Sequence, residues 1–280
     1  MSRHAMTASL FSEILAALPA DEAISATARL GYPAIELLCA PPHLDRARAR
    51  RDAAGVAARI RDAGLAVSVL SLHNSFTEPA RLAEQLGNVR TFIALAPAFG
   101  TRTLQLDPGR PAAPDAGPEQ WQCLARALRE LAAMADDAGV RLAFHTTMRQ
   151  ITSTVAGAER LLDLAGADCI GVSADFCNLR INGDHPNRVI DRLGGRIYHT
   201  HIKNGEVAAD GSWLFSRLDR GLLDYTELLP RLHAAGYRGY LSIESIGRGA
   251  RKYPAPEAVR EAGADLKLLR SYLWRAGIDG

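Results

Sequence analysis

The sequence predicts a single-domain (β/α)8 barrel, the TIM-barrel architecture, spanning residues 1–280. Three observations carry that reading. Eight short β-rich runs alternate with Ala- and Leu-rich amphipathic segments along the whole chain. Helical segments stop at glycine just before the next run, as in DAG at 62–64, DAG at 137–139 and AAG at 234–236; glycine there accepts the left-handed C-terminal cap. No glycine-rich fingerprint follows the first run, as a doubly wound open sheet would require. Eight strand–helix units with short connections call for a parallel sheet covered by helices, and this length closes it into a barrel.

The strands fall in order at TASLF (7–11), AIELL (34–38), AVSVLSL (66–72), TLQLD (103–107), RLAFH (141–145), CIGVSAD (169–175), RIYHTHI (196–202) and YLSIE (240–244). The segments between them carry helical periodicity. In EQWQCLARALRELAAMADDAG, Leu124, Leu128, Leu131 and Met134 recur at the spacing of one helix face. The basic run RARARR (46–51) lies in an Ala-rich helical stretch and reads as a solvated face rather than a phosphate patch. No linker or low-complexity segment interrupts the alternation.

Composition narrows the function classes. Hydrophobic residues are 48% and charged residues 23%, ordinary for a soluble globular domain. With 33 basic and 31 acidic residues, no strong field favours nucleic acid or a membrane surface. Cys39, Cys123, Cys169 and Cys177 form no CxxC pair and read as buried free thiols of a reducing cytoplasm. No apolar run reaches the length of a signal peptide or a membrane span, so a cytoplasmic protein is expected.

In such a barrel, function sits at the C-terminal ends of the strands. Those ends carry Glu36 on the second strand, His73 on the third, Gln105 and Asp107 on the fourth, and His145 on the fifth. Asp175, followed by Asn178, ends the sixth; His199, His201 and Lys203 mark the seventh, and Glu244 ends the eighth. Alternation turns His199 and His201 to the same side, and His201 is the higher of the two. Any one of these residues alone would read as a core histidine or a helix cap. Together they form a ring of carboxylates and imidazoles whose desolvation needs compensation, and a divalent cation is the simplest one. Mixed N/O ligation suits Mn, Zn, Fe or Co better than Ca or Mg.

GYPAIELL, IGVSADFCN, IYHTHIKN and RLDRGLLDYTELLPRLHAAGYRGYLSIE resemble segments of the sugar phosphate isomerase/epimerase-like TIM barrels, the xylose isomerase-like superfamily. The resemblance covers nearly the whole chain. It implies one divalent metal held by four residues, of which Asp175, His201 and Glu244 match directly. The fifth-strand position falls on His145, where the sugar epimerases carry a glutamate. Histidine can ligate a metal or act as a base near neutral pH, but not through one nitrogen at once. The endonuclease branch, with its three-zinc cluster, is set aside because Asn178 and Gln105 or Asp107 stand where it needs histidines. A homodimer or homotetramer is also in keeping with the resemblance.

The leading expectation is a metal-dependent isomerase or epimerase of a small keto-sugar or polyol, working through an enediolate. Glu244 is the candidate base, with His145 either the fourth ligand or the opposing acid/base. Glu36, His73, Gln105, Asp107 and Lys203 are expected to organise substrate contacts, and Trp213 and Phe215 to cover a sugar face, meet a partner subunit or simply pack. The alternatives are a lyase or dehydratase on the same scaffold and a non-catalytic sugar-binding subunit.

Overall fold

A computed structural model of the chain describes residues 6–244, 247–248, 251–252 and 254–279. β1 (Thr7–Phe11), β2 (Ala34–Leu38), β3 (Ala66–Leu72), β4 (Thr103–Leu106), β5 (Arg141–His145), β6 (Ile170–Asp175) and β7 (Ile197–Ile202) run parallel in sequence order. A hairpin of β8 (Asn204–Val207) and β9 (Trp213–Ser216) follows, outside the barrel. The eighth barrel strand, β10 (Tyr240–Ile243), pairs with both β7 and β1, and β1 with β2, which closes the barrel. Helices α1 (Ala20–Arg29), α2 (Arg46–Asp62), α3 (Leu82–Leu95), α4 (Pro118–Ala138), α5 (Val155–Ala165), α6 (Phe176–Ile181), α7 (Pro186–Leu193), α8 (Tyr225–Ala234) and α9 (Ala255–Arg275) surround it.

Local chemistry explains these boundaries. Asp45, Thr154 and Asp224 accept backbone N–H groups at the starts of α2, α5 and α8, satisfying donors that a helix leaves unpaired. Gly139, at φ 62°, caps α4 as its sequence position requires. The expected stripe of α4 is buried at Leu124, Leu128 and Leu131 and partly buried at Met134. In α2, Arg50 and Arg51 face solvent, as expected for a solvated face. The periodicity missed the hairpin β8–β9, because four-residue strands leave too short a pattern to read. Among the described residues no helix is long and apolar enough to cross a membrane.

The apolar core lies outside the barrel wall, where residues such as Leu104, Leu142 and Phe144 meet α3 and α4, and Val172, Ile202 and Leu241 meet α7 to α9. The barrel interior is polar instead. Ser9 bonds Ser68 at 2.8 Å, Gln105 donates to Ser71 at 2.9 Å, and Ser173 donates to Gln105 at 2.5 Å. Barrels usually fill this space with branched aliphatics; here small hydroxyl residues leave room for larger ionisable side chains.

The segment between β5 and α5 depends on Gly157. An added Cβ there would stand 2.0 Å from the carbonyl oxygen of Ile151, and the adjoining Thr152 hydroxyl donates to the carbonyl of His145. Gly157→Ala is expected to cost about 1–3 kcal/mol through overpacking, read as a lowered midpoint in urea unfolding.

Candidate metal centre

Four neighbouring strands bring four side chains to one point. His145 is the last residue of β5 and Asp175 the last of β6; His201 lies one residue from the end of β7, and Glu244 follows β10. Their candidate donor atoms all lie within 4.8 Å of one another, and all four residues are buried. β-Register sets this convergence, since Asp175 pairs with His201 and His201 with Ser242. His145 Nε2 lies 3.7 Å from Asp175 Oδ2 and makes no hydrogen bond. Buried polar atoms are ordinarily satisfied, so a shared cation fits this set of two imidazoles and two carboxylates.

Each histidine of the set has one nitrogen turned away from it. His201 Nε2 lies 3.0 Å from Glu36 Oε1, and its Nδ1 lies 2.9 Å from Glu244 Oε2. His145 Nδ1 lies 3.4 Å from Asp107 Oδ1. Lys203 Nζ stands 2.7 Å from both Asp175 Oδ2 and Glu244 Oε2. Burial disfavours the charged forms of Glu36, His145 and His201, but their partners outweigh it. Glu36 and Glu244 hold His201 well above its usual range, while His201 and His199 hold Glu36 well below the usual carboxylate range. Burial and His201 pull His145 down, yet Asp107 and Asp175 leave it raised. For His199 burial prevails and lowers it.

A model of the xylose isomerase-like TIM barrel family matches residues 24–272. The chain belongs to that family. Over 141 residues it is 30% identical to the rhizopine catabolism protein MocC of Rhizobium meliloti, covering 45% of this chain and 43% of that protein. It is 24% identical over 156 residues to an inosose dehydratase of Clostridium perfringens, covering 51% and 52% of the two chains. The chain thus spans about half the length of the curated relatives it matches. The solved structure of an L-ribulose 3-epimerase superposes with a TM-score of 0.75 at 23% identity, over 97% of each chain.

The other residues singled out from the sequence divide by depth. Glu36 and Gln105 do not reach the barrel mouth. Glu36 lies mid-strand and is fully buried, its carboxylate bridging His199 (2.8 Å) and His201; Gln105 is held in the serine layer. Both were expected among the substrate contacts, and strand position alone did not reveal that they stop a layer short of the top. His199 is likewise deep, as the alternation implied. At the rim, half-exposed His73 bridges Asp107 Oδ2 at 3.1 Å and Glu13 Oε2 at 3.2 Å. Glu13, which sits in the turn after β1, was not anticipated, since no periodicity marks it. Asn178 donates to the Thr146 carbonyl and its backbone N–H bonds Asp175. Phe215 places its ring 4.3 Å from Lys203 Nζ, and Trp213 lies 5.1 Å from the Arg149 guanidinium, so the hairpin lies against the site.

Two predictions follow from these pairings. Glu36→Ala removes the partner of two buried imidazoles and should cost about 3–5 kcal/mol, measured by denaturant unfolding. At the rim, Asp107 and Glu13 raise His73 from 6.5 to about 10. A raised histidine contributes its full stabilisation below its unfolded value of 6.5 and loses it as pH rises through about 10. The Tm difference between the wild type and His73→Gln should therefore be widest near pH ~6 and shrink by pH ~10.5.

Proposed function

We propose that the protein is a divalent-metal-dependent enzyme that removes a proton beside the carbonyl of a sugar-sized keto-polyol and eliminates water from it. The observation that carries this reading is the buried convergence of His145, Asp175, His201 and Glu244, with His145 Nε2 lacking a hydrogen bond. A bound metal would act as a Lewis acid on the substrate carbonyl and the neighbouring hydroxyl. His145 would offer Nε2, His201 Nδ1, and Asp175 and Glu244 one carboxylate oxygen each.

The chain's own groups then supply the proton chemistry. Glu244 directs Oε2 at His201 and Lys203, and among the described residues nothing hydrogen-bonds its Oε1. That oxygen is the candidate base for the C–H proton. The Lys203 ammonium, 2.7 Å from Glu244, is placed to donate to the departing hydroxyl. Phe215, over Lys203, offers an apolar surface to a sugar ring.

Epimerisation takes a proton from one face of a carbon and returns one to the other, which calls for two opposed proton carriers. With His145 Nδ1 against Asp107, only Nε2 remains for the centre. If that atom ligates, Glu244 is the single carboxylate base, and one base suffices for an elimination. The match to a protein named inosose dehydratase supports this order. Isomerisation or epimerisation is the second reading, supported by the absence of a hydrogen bond at His145 Nε2, which leaves it available for proton transfer. The intact donor set speaks against a non-catalytic binding subunit.

The protein should bind Co²⁺ or Mn²⁺ in equilibrium dialysis. A metal concentration 100 times Kd should stabilise it by about 2.7 kcal/mol, and Asp175→Asn should remove most of that gain. Incubating the metal-loaded protein with inosose and with ketohexoses in deuterated water then separates the reactions. Loss of water supports the dehydratase reading, whereas label exchange without loss of water overturns it in favour of epimerisation. Neither exchange nor elimination would leave only the binding reading.

A further inference from the structure

We infer that Asp107 is a positioning residue for His145, holding Nδ1 so that Nε2 faces the metal centre and supplying the negative charge that a carboxylate at position 145 would have carried. The inference rests on the reading of His145, Asp175, His201 and Glu244 as a metal centre. β4 and β5 pair in parallel with Leu106 opposite Phe144, so the next residues, Asp107 and His145, stand side by side. Asp107 Oδ1 lies 3.4 Å from His145 Nδ1. The ring is constrained elsewhere too. The backbone carbonyl of His145 accepts from Thr152, and the ring stands edge-on to His201 with centroids 4.5 Å apart at 66°. In this orientation Nε2 points to Asp175 and makes no hydrogen bond.

Asp107 is itself held from the far side. Its Oδ2 lies 3.1 Å from His73 Nδ1, and His73 Nε2 lies 3.2 Å from Glu13. The carboxylate cannot rotate away from His145 without leaving His73. The same construction occurs across the centre, where Glu36 takes His201 Nε2 and leaves Nδ1 toward the cluster. Both imidazoles of the centre therefore back onto a carboxylate outside it. Such a carboxylate fixes which ring nitrogen carries the proton and raises the basicity of the other, and its loss typically weakens metal binding about 10–100-fold. A neutral imidazole in place of a glutamate lowers the negative charge of the donor set by one, and Asp107 restores it one bond network away.

The test uses the full-length protein with Zn²⁺ and Co²⁺. Affinity is measured by competition with a chelator, and the His145 ring by ¹H–¹⁵N NMR of the diamagnetic zinc form. In the wild type, His145 should show a slowly exchanging Nδ1–H and a coordinated Nε2. Asp107→Ala should broaden or abolish that Nδ1–H signal and weaken Zn²⁺ binding about 10–100-fold. Asp107→Asn, nearly isosteric and still able to accept from Nδ1–H, should keep the signal but lose affinity, and it serves if the alanine variant fails to fold. A merely structural role would leave the ring signal in place. If both variants fold and keep wild-type affinity and an unchanged ring spectrum, the inference is overturned. If the wild type binds neither ion, the metal reading itself fails, and with it the premise for Asp107.

Discussion

His201 sits between two carboxylates in a space closed to water, and the rest of the site is arranged around that fact. Glu36 approaches from below and Glu244 from above, each within hydrogen-bond distance of a different ring nitrogen. A carboxylate buried beside a neutral, unpaired neighbour would cost several kcal/mol. The pairing with His201 makes it tolerable to place Glu36 mid-strand inside a barrel. It also fixes the ring, so that Nδ1 has one direction left and that direction is the cluster. The interior serines follow from the same requirement, since branched aliphatics at Ser9, Ser68, Ser71 and Ser173 would compete with Glu36, His199 and Gln105 for volume. Apolar stabilisation is displaced to the outer face of the barrel, where the two side-chain clusters join strands to helices.

The fold was largely legible because its signals are local and repeated. Glycine caps, amphipathic stripes and eight β-rich runs each report on a few residues, and their agreement specifies the barrel. Strand limits differ by a residue at β4, β6, β7 and β10, the scale at which frayed ends are assigned. The candidate centre was legible for a related reason, because parallel strands carry their last side chains to one face. What the sequence did not disclose is depth. Glu36 and Gln105 look like strand-end residues until the barrel's shear places them a layer below His145 and Glu244. Glu13 was invisible because its partner His73 is 60 residues away in the chain, and the hairpin because its strands are too short for periodicity.

The position that departs from the family's epimerases also proves the most informative. A histidine at 145 raises the question of whether it ligates or transfers protons, and its neighbours narrow the choice to a single nitrogen. Nδ1 faces Asp107, so whatever His145 does at the centre, it does through Nε2. An imidazole backed by a carboxylate can ligate a metal or carry a proton through its free nitrogen, but not both at once.

Charge balance around the centre bears on the substrate as well. Lys203 already faces Asp175 and Glu244, and His73 already faces Asp107 and Glu13. Neither of these two cations is left over for a phosphate or carboxylate on the ligand. A divalent metal would add two positive charges to this set, which suits a substrate oxygen that gains negative charge as the neighbouring proton leaves. Under the proposed reading, a keto-polyol would call on the polarised carbonyl, a base at Glu244 and hydrogen bonds from groups already paired.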